Sequence, residues 1–302
     1  MKIYTNKKGK LVEVKPKPFK LEREIQKLFE GNLNALMGLN LVRSEFTIKN
    51  KRIDTLAFDP QAGAFIIIEY KRDKNVSVVD QGFTYLSLML ENKADFVVAY
   101  NEQLNKTMKM ADVDWSQTRV VFVSPSFTEN QIQATNFKDI GIELWEVQQF
   151  EDGNVSIRQI KQTSSATSIK PIAQQSSVIQ KVTSEIKVYS EADHANAVDA
   201  EIYELYEKFR DAILNLADGI EVSPQKLYIA LKKNGNLACI QLQKKNLKIY
   251  IGAKKGTLED PKKLAKDVSA IGHYGTGDYE IQVNSDKDLE YIMSLVKQVI
   301  FL

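Results

Sequence analysis

Asp54, Glu69 and Lys71 are the residues whose types and spacing could do chemistry in this chain. They lie in the stretch 52–71, where two short apolar runs rich in Ile, Phe and Leu flank Asp59, Pro60 and Gly63, the pattern of two antiparallel strands joined by a tight loop. If Asp59 pairs with Ala64 across a four-residue loop, the same register sets Asp54 opposite Glu69. Side chains alternate along a strand, so Lys71 shares the face of Glu69. Like charges directly opposite one another destabilise a sheet. The pair therefore calls for a compensating cation, and carboxylate oxygens suit hard ions such as Mg2+ or Mn2+. Lys71 supplies charge but cannot ligate. The plainer reading is a solvated hairpin face with a surface ion pair. Against it stands the run Phe65-Ile66-Ile67-Ile68, which marks a strand buried on both faces and puts the charged residues at the rim of a core.

The elements that must position these groups follow directly. Ser77-Val78-Val79-Asp80 reads as an N-cap with an acidic third position, opening a helix through about Glu91. Gln81 and Tyr85 lie four apart and so share one face of it. Taken alone, Tyr85 would be core and Gln81 surface. Asp54, the gap, Glu69-Tyr70-Lys71 and then Gln-x-x-x-Tyr together resemble the PD-(D/E)XK nuclease superfamily, in its RecB-like and NucS-like branches. The resemblance covers residues 1 to about 160. It implies a restriction-endonuclease-like mixed sheet with flanking helices, and an endonuclease acting on DNA in repair or in defence against foreign DNA. It further implies that Asp54, Glu69 and the carbonyl of Tyr70 hold Mg2+ (or Mn2+) and that Lys71 orients or deprotonates a water. By the same resemblance Gln81 and Tyr85 position Lys71 or the scissile strand, and Glu30 completes the shell. Glu22 and Glu24 compete with Glu30 for that place, since Glu30 falls outside the apolar stripe of Leu21, Ile25, Leu28, Phe29 and Leu36. The competing reading is a non-catalytic nuclease-fold module that binds nucleic acid or protein. A third, ligand sensing by the second domain, is compatible with both.

At 302 residues with 43% hydrophobic content, the chain is long enough for two domains, each with its own core. Mean hydropathy is −0.30, and there is neither a long apolar run nor a signal-type amino terminus, so a cytoplasmic protein without membrane contact is expected. One cysteine, Cys239, and two histidines exclude an internal disulfide and argue against structural zinc. A net charge of +2 means that any grip on nucleic acid must come from local basic patches. The amino-terminal Lys7, Lys8, Lys10, Lys15, Lys17 and Lys20 form one such patch, around a small hairpin at Asn6 to Gly9. They read equally well as guards of a solvated edge strand. Oligomeric state is not readable from the sequence, and a homodimer is compatible with it.

Periodicity predicts a helix over Phe19–Met37 ending at Gly38 and strands at Leu41–Ile48, Ala94–Tyr100, Arg119–Ser124 and Ile142–Val147. A helix is expected at Thr128–Asn136. Residues 161–190, rich in Ser, Thr and Gln, read as a linker. Residues 191–302 read as a smaller α+β domain. Its expected parts are a helix over Val198–Ala217, a strand meander with turns at Asn234-Gly235 and Lys244–Asn246, a short helix at Pro261–Val268, a strand at Tyr279–Val283 and a closing helix from Asp286. From about Asp199 onward it resembles a small domain of unknown function, sometimes labelled a predicted transport protein. The Gly-rich stretch around His273 reads as a rigid turn, because no strand-to-helix order of a nucleotide loop accompanies it.

Overall fold

The computed structural model describes residues 2–72, 77–163, 165–174, 176–233, 235–273 and 275–300. The chain divides into two units, 1–188 and 189–302. Ser164, Gln175, Asn234 and Tyr274, which belong to the expected linker, the turn at Asn234-Gly235 and the Gly-rich stretch, lie outside the described residues.

The first unit opens with a hairpin of β1 (Ile3–Lys7) and β2 (Lys10–Val14), followed by β3 (Pro16–Lys17), α1 (Glu22–Glu30) and α2 (Leu33–Met37). Then come β4 (Asn40–Ile48), β5 (Lys51–Asp59), β6 (Ala64–Tyr70), α3 (Val78–Glu91) and α4 (Lys93–Leu104). The unit closes with β7 (Arg119–Ser124), α5 (Glu129–Ala134), β8 (Ile142–Phe150), β9 (Val155–Ile160), α6 (Lys170–Ala173) and α7 (Ser177–Glu185). A seven-stranded sheet runs β3-β8-β7-β6-β5-β4, with β9 also on β8. The β6–β7 and β7–β8 pairs are parallel and the others antiparallel. This is the mixed sheet with flanking helices that the sequence predicts.

Strand alternation explains the two cores. Leu56, Phe58, Phe65, Ile67, Val120, Phe122 and Leu144 face one way and pack with Leu86 and Met89 of α3 and Phe96 of α4. Ala57, Ile66, Ile68, Tyr70, Val121 and Val123 face the other way and pack with Ile25 and Phe29 of α1 and Leu33 of α2. β6 is buried along its whole length, as an unbroken apolar run in a central strand requires.

Four expectations need correction. Ala94–Tyr100 is not a strand but lies within α4: Phe96, Val97, Ala99 and Tyr100 are buried while Val98 is 52% exposed. That is a helical face, and its packing on Phe58 and Phe65 overrides the strand propensity of the Val pair. Phe19–Met37 is broken into α1 and α2, although Gly38 does cap α2 in the left-handed conformation (φ 68°). The stretch read as a linker is folded: Ile169, Val182 and Ile186 are buried against the α3 side of the core, and Lys93 of α4 pairs with Glu185 at 2.6 Å. A few well-spaced apolar residues were enough to dock it, despite a polar average. Pro261–Val268 contains no helix and ends in a two-residue strand at Lys266–Asp267, paired to the strand at Tyr279.

The second unit continues with α8 (Glu191–Ala195), α9 (Ala200–Leu214), β10 (Glu221–Pro224), β11 (Ile229–Lys232), β12 (Asn236–Leu242), β13 (Leu247–Ile251), β14 (Lys266–Asp267), β15 (Tyr279–Val283) and α10 (Leu289–Ile300). Its sheet is separate and wholly antiparallel, ordered β10-β11-β12-β13-β15-β14. Leu205, Phe209 and Ile213 of α9 and Ile292 and Val296 of α10 share a core with Ile229, Ile240 and Ile249. His273 stacks on Tyr250 at 5.0 Å and its Nδ1 lies 2.9 Å from the carbonyl of Ile271, which agrees with the turn reading. Among the described residues no helix is long and apolar enough to cross a membrane.

Candidate active site

The β5–β6 ladder runs from Asp59 opposite Ala64 to Thr55 opposite Ile68, the register inferred from the loop. One step further, side chain–backbone hydrogen bonds tie Asp54 to Glu69 and to its neighbour Tyr70. The Asp54 N–H donates to Glu69 Oε1 at 3.2 Å, and the Tyr70 N–H donates to Asp54 Oδ2 at 3.0 Å. The two carboxylates are thus fixed near one another where the β5–β6 ladder ends. Lys71 Nζ reaches Glu69 Oε2 at 3.3 Å.

Burial makes this pair unusual. It raises the Glu69 carboxyl to about 7, with the neighbouring Asp54 charge adding to the shift and Lys71 opposing it. Asp54 is also raised, first by burial and further by Glu45 and Glu22, against the Tyr70 N–H and Lys71. One lysine does not neutralise two half-desolvated carboxylates.

α3 supplies the remaining predicted side chains. Ser77 Oγ caps it by accepting from the Asp80 N–H. On its inner face Gln81 Nε2 donates to Glu69 Oε2 at 3.2 Å and to the Tyr85 hydroxyl at 3.3 Å, and that hydroxyl donates to the Arg52 carbonyl at 3.2 Å. Tyr85 is pushed up to about 12, by burial and then by Glu69. Gly82 permits the close approach of α3 to the sheet, since a Cβ there would lie 2.5 Å from Ile142 Cδ1. Gln81 Oε1 is buried with no hydrogen-bond partner among the described residues.

Glu30 is placed differently. Its Oε1 accepts from Thr55 Oγ1 at 2.5 Å and Gln26 Nε2 at 3.1 Å, and Thr55 alternates with Asp54 along β5. Glu30 therefore lies on the α1 side of the sheet, with the Tyr70 ring, and is not brought to the Asp54–Glu69 pair. Glu22 is brought closer: its Oε1 accepts from the Arg72 N–H at 2.9 Å, and Asp54 feels its charge.

Two further residues escaped the reading from sequence. Gln26, buried in α1, donates to the Asp54 carbonyl at 2.9 Å and to Ser44 Oγ at 3.2 Å, tying the helix to β5 behind the site. A glutamine beside Ile25 and one turn before Phe29 and Glu30 was its signal. Glu45 lies opposite Asp54, between the pairs Ser44–Thr55 and Phe46–Ile53. Its backbone is left-handed (φ 53°) and its carboxylate turns to Arg52 Nε at 2.9 Å. No sequence signal marks a left-handed glutamate in mid-strand.

The donor set fits a hard divalent cation. Two carboxylates and the adjacent Tyr70 carbonyl offer oxygen donors, the carboxylate pair is under-neutralised, and Gln81 Oε1, without a partner among the described residues, can accept from a water. Among the described residues no group of three or more His, Cys, Asp or Glu assembles to hold a metal. The protein would thus supply few side-chain ligands and leave the remainder to water, the manner in which Mg2+ is held.

Residues 191–298 match the family described as "Domain of unknown function (DUF5655)", in line with the resemblance expected from about Asp199. Among solved structures, the chain is similar to one from an EndoMS–dsDNA complex, with 18% identity, TM-score 0.30, and 43% of this chain and 47% of that chain covered. A repair endonuclease from Pyrococcus abyssi gives 20% identity, TM-score 0.25, and 42% and 47% coverage. SfsA of Pyrococcus furiosus with Ca2+ gives 14%, 0.26, and 47% and 65%. The chain spans about half the length of the endonuclease chains it matches. Over 300 residues, 99% of both chains, it is 56% identical to a Haemophilus influenzae (strain Rd) protein named "Uncharacterized protein". The chain therefore belongs to the same family as that Haemophilus influenzae protein.

Proposed function

We propose that this chain is a metal-dependent nuclease of the PD-(D/E)XK type that hydrolyses phosphodiester bonds in DNA as an endonuclease. The observation that carries the reading is the corner of Asp54, Glu69 and Lys71: two carboxylates held by the backbone N–H groups of Tyr70 and Asp54, desolvated, and offset by one lysine. Such a pair persists when a bound cation completes it. Asp54, Glu69 and the Tyr70 carbonyl would hold Mg2+ or Mn2+, which when bound polarises a phosphate and lowers the pKa of its water.

The protein's own groups have separable tasks. Asp54 and Glu69 fix the position of positive charge relative to the strand ends. Lys71, held by Glu69 Oε2, stands where it can orient an attacking water and receive or return its proton. Gln81 and Tyr85 form a hydrogen-bonded chain from Glu69 to the Arg52 carbonyl, which holds the Glu69 carboxylate in one rotamer. Glu30 and Gln26 brace β5 from behind.

The test is Mg2+- and Mn2+-dependent cleavage of single-stranded, duplex, branched and mismatched DNA and of RNA, comparing wild type with Asp54→Ala and Lys71→Ala. Cleavage lost in both variants, with circular dichroism unchanged, supports the reading and names the substrate. A wild type that shows no metal-dependent cleavage and binds no divalent metal refutes it.

A further inference from the structure

The amino-terminal hairpin has no place in the sheet that holds the site. Among the described residues β1 and β2 pair only with each other, and none before Phe19 belongs to the buried core. A two-stranded hairpin without a packed face is marginal in water. Nor does it serve as an edge guard, since it borders no larger sheet.

Its composition points to a polyanion. The first twenty residues contain seven lysines and one acid, Glu13, which pairs with Lys2 at 3.5 Å. Lys7, Lys8, Lys10, Lys15, Lys17 and Lys20 are exposed. Three of them crowd the tip. Lys7 is directly opposite Lys10, and the two-residue turn between them, Lys8-Gly9, is left-handed (φ 52° and 84°) and closed by Asn6 Oδ1 accepting from the Gly9 N–H at 2.8 Å. Like charges facing across a ladder destabilise it, so the tip is at its most stable with an anion between them. Tyr4, Leu11 and Val12 are 45%, 68% and 45% exposed, apolar surface beside the lysines that the sugars and base faces of a nucleic acid would cover.

The base of the hairpin is fastened to the end of β8, and the segment that follows it reaches the candidate site at Lys20. Lys17 pairs with Gln149 at the end of β8, and the Glu151 N–H donates to the Lys15 carbonyl at 3.0 Å. The Lys20 carbonyl accepts from Arg72 Nη1 at 2.8 Å, one residue beyond Lys71. The basic segment thus runs along the end of β8 at Lys15 and Lys17 and reaches the end of β6 at Lys20, next to the strand that carries Glu69 and leads into Lys71.

From this placement we infer that the Ile3–Val14 hairpin is a phosphate-gripping arm that holds the backbone of a nucleic acid against the Asp54–Glu69 site. The inference rests on the nuclease reading for its purpose, but the binding itself needs no catalysis. Each phosphate neutralised steepens the salt dependence of binding, by about 0.9 for duplex and about 0.7 for single strands in log–log slope.

The experiment is fluorescence anisotropy of a labelled DNA duplex and its single strand with the full chain in EDTA, between about 50 and 200 mM salt. Wild type is compared with Lys7→Gln/Lys8→Gln/Lys10→Gln, with the same three positions as Arg, and with Lys244→Gln/Lys245→Gln/Lys254→Gln in the second unit. The hairpin Gln variant is expected to lower the slope by about 2 to 3 and weaken binding at least about tenfold. The Arg variant and the second-unit variant should keep the wild-type slope, with unchanged melting curves for all. Equal slopes for both Gln variants overturn the arm. So does a wild type that binds neither oligonucleotide but binds anionic vesicles, or one that self-associates through the hairpin. Salt-dependent binding through the hairpin without metal-dependent cleavage would sink the nuclease reading alone. Cleavage whose KM and salt dependence ignore the hairpin substitutions would sink the arm alone.

Discussion

The sheet of the first unit carries two pairs of carboxylates, and they are treated in opposite ways. Toward one end, Asp59 and Glu143 are bridged by Arg119, with Nη2 3.1 Å from Asp59 and Nε 2.7 Å from Glu143. Burial disfavours the guanidinium charge, yet Glu143 and Asp59 outweigh it and hold Arg119 above its ordinary pKa. Trp145 and Gln159 donate to the remaining oxygen of Glu143, each at 3.1 Å. That corner is complete. Five residues along β5, about 17 Å away at the rise of a strand, Asp54 and Glu69 have a single lysine on one of them, and both are raised in pKa. The first corner spends its charges on holding strands together. The second keeps an unbalanced negative potential, which is what a site for a cation requires.

The comparison can be broken most directly by removing charge from each corner. Asp54→Ala should reduce cleavage by at least about a thousandfold, the order expected when stabilisation of transition-state charge is lost. It should leave the melting temperature of the metal-free protein equal or higher, because a repulsive neighbour of Glu69 is gone. Arg119→Met should do the reverse. It strands Asp59 and Glu143 and should cost about 3–5 kcal/mol of stability by chemical denaturation, while specific activity per folded molecule persists.

A smaller effect comes from pH. The folded-state pKa of Glu69, about 7, lies above its ordinary value of 4.5, so the folded protein binds a proton that the unfolded chain releases. Its contribution to stability is complete below about pH 4.5, is lost as pH rises to about 7, and is on the order of 3 kcal/mol. Melts of metal-free protein between pH 5 and 8 should show that decline, and Glu69→Gln should flatten it. An equally steep decline in Glu69→Gln would place the titration elsewhere.

Packing behind the site gives the next step down. Gly82→Val should destabilise by about 1–3 kcal/mol through overpacking against Ile142 and reduce cleavage further than the folded fraction explains, because α3 carries Gln81 with it. The smallest effect concerns the left-handed Glu45. Glu45→Gly should be more stable than Glu45→Ala by about 1 kcal/mol in equilibrium denaturation, the cost of holding a Cβ in that conformation.

Much of the active corner was legible before the fold. The loop residues Asp59, Pro60 and Gly63 set the β5–β6 register, and a fixed register forces Asp54 against Glu69. The Ser77 cap started α3 where it starts, and four-residue spacing put Gln81 and Tyr85 on one face. These features are local, decided by turn chemistry, period and capping within a few residues of each group.

What could not be read was settled at long range. Val97 and Val98 favour a strand in isolation, but an aromatic cluster of Phe58, Phe65 and Phe96 made their segment a helix. The polar average of residues 161–190 hid Ile169, Val182 and Ile186, whose burial depends on a groove that exists only once α3 is docked. Glu30 and Glu22 are equivalent by sequence. Which of them nears Asp54 depends on how α1 crosses the sheet, and that is fixed by Phe29 against Tyr70 and by Arg72 reaching back to Glu22 and Lys20. The sequence by itself determined the strand register, the helix starts and the identity of the charged groups, because those rest on short-range sterics and hydrogen bonds. The tertiary structure alone decided which charges share one desolvated corner and which are closed off by an arginine, because burial and electrostatic pairing are properties of the assembled sheet.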